Sequence, residues 1–235
     1  MATPSLLLLL ADGRFPAGAH AHSGGLEAAV AAGRVTDLAS LEAFLAGRLA
    51  TAGLVGAAFA AAAHRAAVAE TADPAESVAR SGALARLDAE LDARTAAPAL
   101  RAVSRRQGRA LLRAGRAIWS DAPFADLPAT PGGAHQPLVL GLLCAAAGLS
   151  RAETATIAAY GTLTGTASAG VRLLGLDPYQ VQALLVGLAD ACDGTAADAA
   201  RAADDPPERL PAAAAPLADI HAEIHATWEV RLFAS

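Results

Sequence analysis

Between two apolar runs, Arg14-Phe15-Pro16-Ala17-Gly18-Ala19-His20-Ala21-His22-Ser23-Gly24-Gly25-Leu26-Glu27 forms a polar, glycine-rich connection holding two histidines two apart and a carboxylate. Neutral imidazoles at His20 and His22, joined by Glu27 or Asp12, make a donor set that suits a borderline metal such as nickel or zinc. An isolated H-x-H is a common pattern, and capping or structural hydrogen bonding is its more frequent use. No metal site is assigned, and His20 and His22 remain the residues to test for one.

A second group is cationic. Arg101, Arg105, Arg109 and Arg113 recur at i, i+4 spacing with Arg106 and Arg116 beside them, and no acid lies between Asp92 and Asp121. On one helix this is a positive ridge, read as a solvated face or as a dock for an acidic protein surface. Nucleic acid fits poorly, because the whole chain carries a formal charge of −5 and has little net charge with which to neutralise phosphates. All 18 basic residues are arginine, a bias that reads as genome composition and is given no function. Without lysine there is no G-x-x-x-x-G-K-[ST] phosphate loop, and G-x-S-x-G, H-E-x-x-H and paired C-x-x-C are also missing. The expectation is a protein that docks other proteins, with no catalysis and no cofactor.

The third group closes the chain. A helix with His221, Glu223, His225 and Trp228 leads to Val230-Arg231-Leu232-Phe233-Ala234-Ser235. Ordering six residues costs roughly 1 to 2 kcal/mol each, whereas burying Leu232 and Phe233 returns about 1.5 to 3 kcal/mol apiece and charge-assisted hydrogen bonds from Arg231 about 1.5 to 3 kcal/mol more. These anchors do not clearly outweigh the cost, so the tail is expected to be loosely held until a partner supplies backbone hydrogen bonds and a pocket. A tail tucked onto its own core is the alternative.

The elements that must position these groups are helical. Alanine and leucine dominate and β-branched runs are few, so an all-α fold of about ten helices is expected. Starts are marked by Asp73-Pro74-Ala75-Glu76, Asp177-Pro178-Tyr179-Gln180 and the capping box Ser150-Arg151-Ala152-Glu153. Gly33 suits a C-cap after residues 25–32, and Thr36 or Asp37 opens a helix with Leu38, Leu41, Phe44, Leu45 and Leu49 at core spacing. Further helices are expected over 54–70, 75–94, 97–119, 138–147, 151–174, 178–192 and 217–228. Two Pro/Gly-rich loops stand out, 120–137 and 204–216, and the second reads as a flexible linker ahead of a C-terminal helix and partner-binding tail at 217–235. The length, 235 residues, suits one domain.

Cys144 and Cys192 lie far apart in apolar stretches and read as small buried hydrophobes. Leu6 to Leu10 lacks a cationic flank and is not read as an export signal. Uncharged runs such as 49–63 fall short of the ~18 to 20 residues that span a bilayer, so a soluble, cytoplasmic protein is expected. Charged residues make up only 17%, which leaves uncharged surface for oligomer or partner contacts.

Taken in order, Leu7 to Asp12 with Pro16-x-Gly18, His22-Ser23-Gly24-Gly25-Leu26-Glu27, Arg94-Thr95 with Arg101, Ser104 and Gly108, His135-x-Pro137-x-x-x-Gly141, and Arg231-Leu232-Phe233-x-Ser235 resemble the urease accessory protein UreF family over nearly the whole chain. The resemblance implies an all-α, dimerising, non-catalytic protein that binds UreD (also called UreH). Through that complex it would recruit the GTPase UreG to apo-urease for GTP-dependent nickel insertion. It also implies that His22, Ser23 and Glu27 shape the N-terminal loop and that Arg231, Leu232, Phe233 and Ser235 meet a partner, with Arg101, Arg105 and Arg109 on a second candidate surface. Two positions depart from the family pattern. Many relatives carry glycine and phenylalanine where Ala19 and His20 stand, and a His-Glu pair where His225-Ala226 stands, for which Glu223 and Glu229 are candidate substitutes. A metal-binding protein using His20 and His22, or a helical regulatory docking module, are the alternatives.

Overall fold

A computed structural model describes residues 3–68 and 74–235, and every regular element in it is helical. The chain opens with α1 (Pro4–Ala11), runs through the glycine-rich connection and enters the short α2 (Leu26–Ala31). Gly24 and Gly25 take positive φ there, +65° and +87°, a conformation that only glycine adopts without strain.

Helix α3 (Leu38–Arg48) starts at Asp37, whose carboxylate accepts from Ser40 N at 2.8 Å while Ser40 Oγ accepts from Asp37 N at 3.0 Å. This reciprocal cap fixes the start that the sequence suggested. A π turn over Leu49–Gly53 then carries the helix without a break into α4 (Leu54–Val68). The joined segment Leu38–Val68, 31 residues, is long and apolar enough by length and composition to cross a membrane, the one such helix among the described residues. An uninterrupted uncharged run had been the sequence criterion, and the helix passes by tolerating Arg48 inside its apolar span.

Residues Ala57 to His64 of α4 are all buried. They pack most extensively against α7 (Gln136–Ala146), then α8 (Arg151–Leu174) and α10 (Ala189–Ala202). Alanines on α4 and Gly141 on α7 allow this close approach: a Cβ on Gly141 would meet Ala60 O, with His64 N at 2.7 Å. Phe59, Leu138, Leu142 and Leu143 fill the remaining space with no exposure.

Helices α5 (Pro74–Arg94) and α6 (Pro98–Ile118) flank this centre. The Asp73 cap and the end of the expected 54–70 helix lie outside the described residues. Between α6 and α7 the first Pro/Gly loop is tied down by buried Phe124 and by Asp126, which pairs with Arg80 and accepts from Ser77 Oγ at 3.0 Å. Ser150 caps α8 as its box predicted, and Asp177 caps α9 (Pro178–Gly187) by accepting from Tyr179 N at 3.0 Å. The expected helix over 178–192 is two helices, because the backbone leaves helical geometry at Leu188 after Gly187 and resumes as α10 to Ala202.

The 204–216 loop is not a free linker. Arg94 donates to Pro207 O at 3.2 Å, Glu208 O at 3.0 Å, Leu210 O at 3.3 Å and Pro211 O at 3.2 Å, and its guanidinium lies 5.4 Å from the Phe59 ring centroid. A loop short of N–H donors presents unused carbonyls, and one arginine gathers four of them. Helix α11 (Pro216–Ala226) and the tail follow. Cys144 and Cys192 are both buried free thiols, as expected.

Candidate partner-binding site at the tail and N-terminal loop

Glu27 lies in the first turn of α2 and is buried. Its Oε1 accepts from Leu232 N at 2.6 Å, and its Oε2 accepts from Phe233 N and from His225 Nε2, each at 2.9 Å. Burial would raise this carboxyl's pKa, but the hydrogen bonds from Leu232, His225 and Phe233 outweigh it and hold the group below the usual range. One carboxylate thus latches the tail to α2 and α11 together.

The pairing continues past it. Ser23 donates twice to Ser235 O, from N at 2.7 Å and from Oγ at 2.8 Å, and Ala234 N donates to Ala21 O at 2.7 Å. His22 Nδ1 lies 2.6 Å from Ser235 Oγ. Ser23 Oγ also accepts from Glu27 N at 3.2 Å, locking loop to helix. Phe233 is 4% exposed, with the Arg172 guanidinium of α8 over its ring at 4.7 Å.

The tail expected to await a partner therefore finds its hydrogen-bond acceptors in its own chain. The sequence ledger left out the Glu27 carboxylate, whose charged hydrogen bonds are stronger than neutral ones. Leu232, counted there as a buried anchor, points outward at 54% exposure, and Val230 is 90% exposed. Arg231 is exposed as well, with a long 3.5 Å contact from Nη1 to His225 O. On α11, Leu217, Ile220 and Ile224 are exposed at i, i+3, i+7 spacing, one face of the helix. The latched tail and α11 thus each leave aliphatic side chains uncovered.

The loop histidines do not converge with carboxylates. His20 is exposed, His22 faces Ser235, Glu27 holds the tail, and Asp12 pairs with Arg14 at 2.7 Å. Among the described residues no three His, Cys, Asp or Glu side chains are grouped to hold a metal. Burial, helped by the nearby positive Arg106 and by His20, brings the His22 pKa down to about 4, so its ring is neutral at pH 7.

The arginine ridge divides. Arg105, expected on a docking face, is 9% exposed, because it shares the core side of α6 with Gly108, Leu111 and Gly115. Its Nη2 donates to Asp88 Oδ2 and Asp92 Oδ1, both at 2.9 Å, and its Nη1 to Thr130 Oγ1 at 2.8 Å and Gly133 O at 2.6 Å. Arg101 is half-buried and folds onto Thr95 O at 2.6 Å and Ala96 O at 3.0 Å. Arg109 is exposed and reaches Gly132 O, and Arg106, Arg113 and Arg116 are exposed too. An i, i+4 series turns about 40° per step around a helix of 3.6 residues per turn, so it cannot keep one face over four members.

His135, Ser104 and Gly108 belong to this internal network. His135 Nε2 lies 2.8 Å from Asp92 Oδ1 and its Nδ1 2.9 Å from Ser104 Oγ, and a Cβ on Gly108 would strike Ala134 O. Burial lowers the His135 pKa despite Asp92. Spacing alone did not reveal Arg172, Asp88 or the His225 partnership with Glu27, which join residues far apart in sequence. Glu223, a candidate substitute beside Ala226, instead accepts from Ala99 N at 2.7 Å and caps α6.

The UreF family model matches residues 35–189. Proteins named urease accessory protein UreF are similar along the chain: 45% identical over 235 residues in Mycobacterium marinum and 43% in Mycolicibacterium vanbaalenii, each with both chains fully covered. The Mycobacterium tuberculosis protein of that name is 44% identical over 201 residues, 85% of this chain and 86% of its own. The name denotes an accessory role rather than a catalytic one. Glu27, His225 and the tail lie outside the family-model match but inside the full-length similarity, and the chain belongs to the UreF family.

Proposed function

We propose that the chain is a urease maturation protein acting as a non-catalytic scaffold. Together with UreD it recruits the GTPase UreG to apo-urease, where GTP hydrolysis by that neighbour drives nickel insertion. The nickel is cargo and the chain itself needs no cofactor. In this reading residues 1–235 act as a single helical unit in the cytoplasm and work as a homodimer within the complex.

The observation that carries the proposal is the set of uncovered aliphatic side chains, Leu217, Ile220 and Ile224 along one face of α11 and Val230 and Leu232 on the latched tail, with the exposed Arg231 between the last two. Aliphatic side chains uncovered in series are suited to a protein partner. The exposed Tyr179 and Val186 on α9 supply a second apolar surface, suited to a copy of the chain. The Arg106, Arg109, Arg113 and Arg116 face is a third, suited to an acidic partner and sensitive to salt.

Co-expression with UreD, UreG and apo-urease tests the proposal. Urease activity should depend on the chain, and Leu232→Asp should abolish co-purification with UreD while leaving the helical fold intact, because Glu27 holds the backbone of Leu232 and not its side chain. Truncation after Trp228 should do the same. Urease activated equally well without the chain would sink the proposal.

A further inference from the structure

Of residues 230–235 only Phe233 is buried. Glu27 holds its backbone amide, but its ring is met by a different element: the Arg172 guanidinium of α8 lies over it, 4.7 Å from the centroid. Arg172 is itself exposed while the ring is 4% exposed, so the guanidinium is a layer between the ring and water. Among the described residues Arg172 makes no hydrogen bond and no ion pair. An exposed arginine without such partners keeps its rotamers free in water, and holding it over one ring costs that freedom.

Arg94, also placed over a ring, differs. It lies farther from its aromatic partner, Phe59, and donates to four carbonyls of the 207–211 stretch, which fix its place. For Arg172 the ring is the fixing partner, and the backbone is arranged to bring the two together. Gly170, two residues earlier, is buried, and a Cβ on it would lie 2.9 Å from Leu41 Cδ2 and 3.6 Å from Leu26 Cδ2. The bare glycine lets the end of α8 close on the start of α2, next to Glu27. Arg172 follows in the last turn of α8, where a positive charge also suits the helix dipole. The tail is therefore held from two neighbouring helices: Glu27 takes the backbone of Leu232 and Phe233, and Arg172 takes the ring.

We propose that Arg172 is a positioning residue for the tail, a cation–π clasp on Phe233 that fixes the path along which Arg231 and Leu232 are offered to a partner. A guanidinium is attracted to the negative face of an aromatic ring and needs no fixed acceptor for its N–H groups to stay there. The clasp requires a ring at position 233, because an aliphatic side chain would fill the same space and give the guanidinium nothing to hold. This deepens the docking reading of the tail. The clasp belongs to the chain by itself, so it can fail while that reading stands, and stand while that reading fails.

NMR and amide exchange on the full chain without partners test this. The Arg172 Nε–Hε and Cδ proton signals, assigned by their loss in Arg172→Gln, should lie upfield of those of the other exposed arginines through the ring current, and the displacement should vanish in Phe233→Leu. In Arg172→Gln the amides of Phe233 and Ala234 should exchange about two- to fivefold faster, the weight of one exposed cation–π contact, while amides in α4 and α7 keep their protection. Arg172→Lys retains the cation and should stay closer to the parent than Arg172→Gln does. Arg116→Gln, the same loss of charge on the exposed face of α6, should leave tail exchange as it is. Arginine signals without the upfield displacement, tail exchange unchanged in Arg172→Gln, exchange in Arg172→Lys as fast as in Arg172→Gln, or an equal acceleration in Arg116→Gln would each overturn the proposal.

Discussion

Replacing Glu27 by glutamine keeps the side chain's shape and removes the acceptor charge on which the tail is latched. The carboxylate accepts from Leu232 N, Phe233 N and His225 Nε2 at 2.6 to 2.9 Å. A glutamine amide offers one oxygen and turns its NH2 towards a remaining donor. At least one bond to a charged acceptor, about 1.5–3 kcal/mol, is lost and the other two weaken to neutral bonds, a total of roughly 2–4 kcal/mol. Phe233 burial, about 1.5–3 kcal/mol, then stands almost alone against an ordering cost of about 1 to 2 kcal/mol per residue. The open tail gains weight, and amide exchange at Leu232, Phe233 and Ala234 should accelerate roughly 30- to 1000-fold, while amides in α4 and α7 keep their protection. Acid should have the same effect: because the folded pKa of Glu27 is lowered, its contribution is present above the ordinary glutamate value and disappears as pH falls through the folded one. Unchanged tail exchange in Glu27→Gln, or faster exchange spread evenly over the core, would refute the latch.

Other perturbations reach the interior. His22, His64 and His135 all have lowered pKa values, each chiefly through burial, with His22 at about 4. The unfolded chain therefore takes up protons the folded one refuses, and stability should fall as pH drops below about 6.5, by up to about 1.4 kcal/mol per pH unit for each histidine; equal urea midpoints at pH 7.5 and 5.5 would contradict this. Gly141→Ala should cost about 1–3 kcal/mol or more through overpacking, whereas Gly56→Ala, whose Cβ meets only Pro137 Cγ at 4.0 Å, should be neutral or stabilising by about 0.5–1 kcal/mol; similar urea midpoints for the two would contradict the account of α4–α7 packing. Arg105→Ala should cost about 3–5 kcal/mol by stranding Asp88 and Asp92, while Arg113→Ala should leave thermal unfolding unchanged.

Local signals carried much of the fold. Asp37, Ser150 and Asp177 cap as their side-chain chemistry dictates, because a cap is decided within three residues. What failed locally was weak by nature: the π turn at Leu49–Gly53 keeps α3 and α4 in one rod where two were expected, and the break at Leu188 follows a glycine in an otherwise helical pattern. The Pro-rich 204–216 loop read as a linker because proline count reports missing donors. Whether a distant donor such as Arg94 gathers the leftover carbonyls is a tertiary fact.

The same distinction governs the site. The sequence exposed the right residue types, since His22, Ser23, Glu27, Phe233 and Ser235 all meet, but it weighed each end alone. Judged by itself, the tail had two apolar anchors and unsatisfied N–H groups. The loop, for its part, had a carboxylate that looked like a metal ligand. Each deficit is the other's complement, and the bonds that join them span about two hundred residues. A carboxylate accepting from two consecutive backbone amides specifies backbone position and leaves side chains free to vary, so the latch can hold the tail's path while Arg231 and Leu232 are given over to whatever binds outside. By that logic loop and tail are one element, and a change at Glu27 should weaken partner binding as severely as a change in the exposed side chains themselves, although Glu27 is covered by the tail it holds.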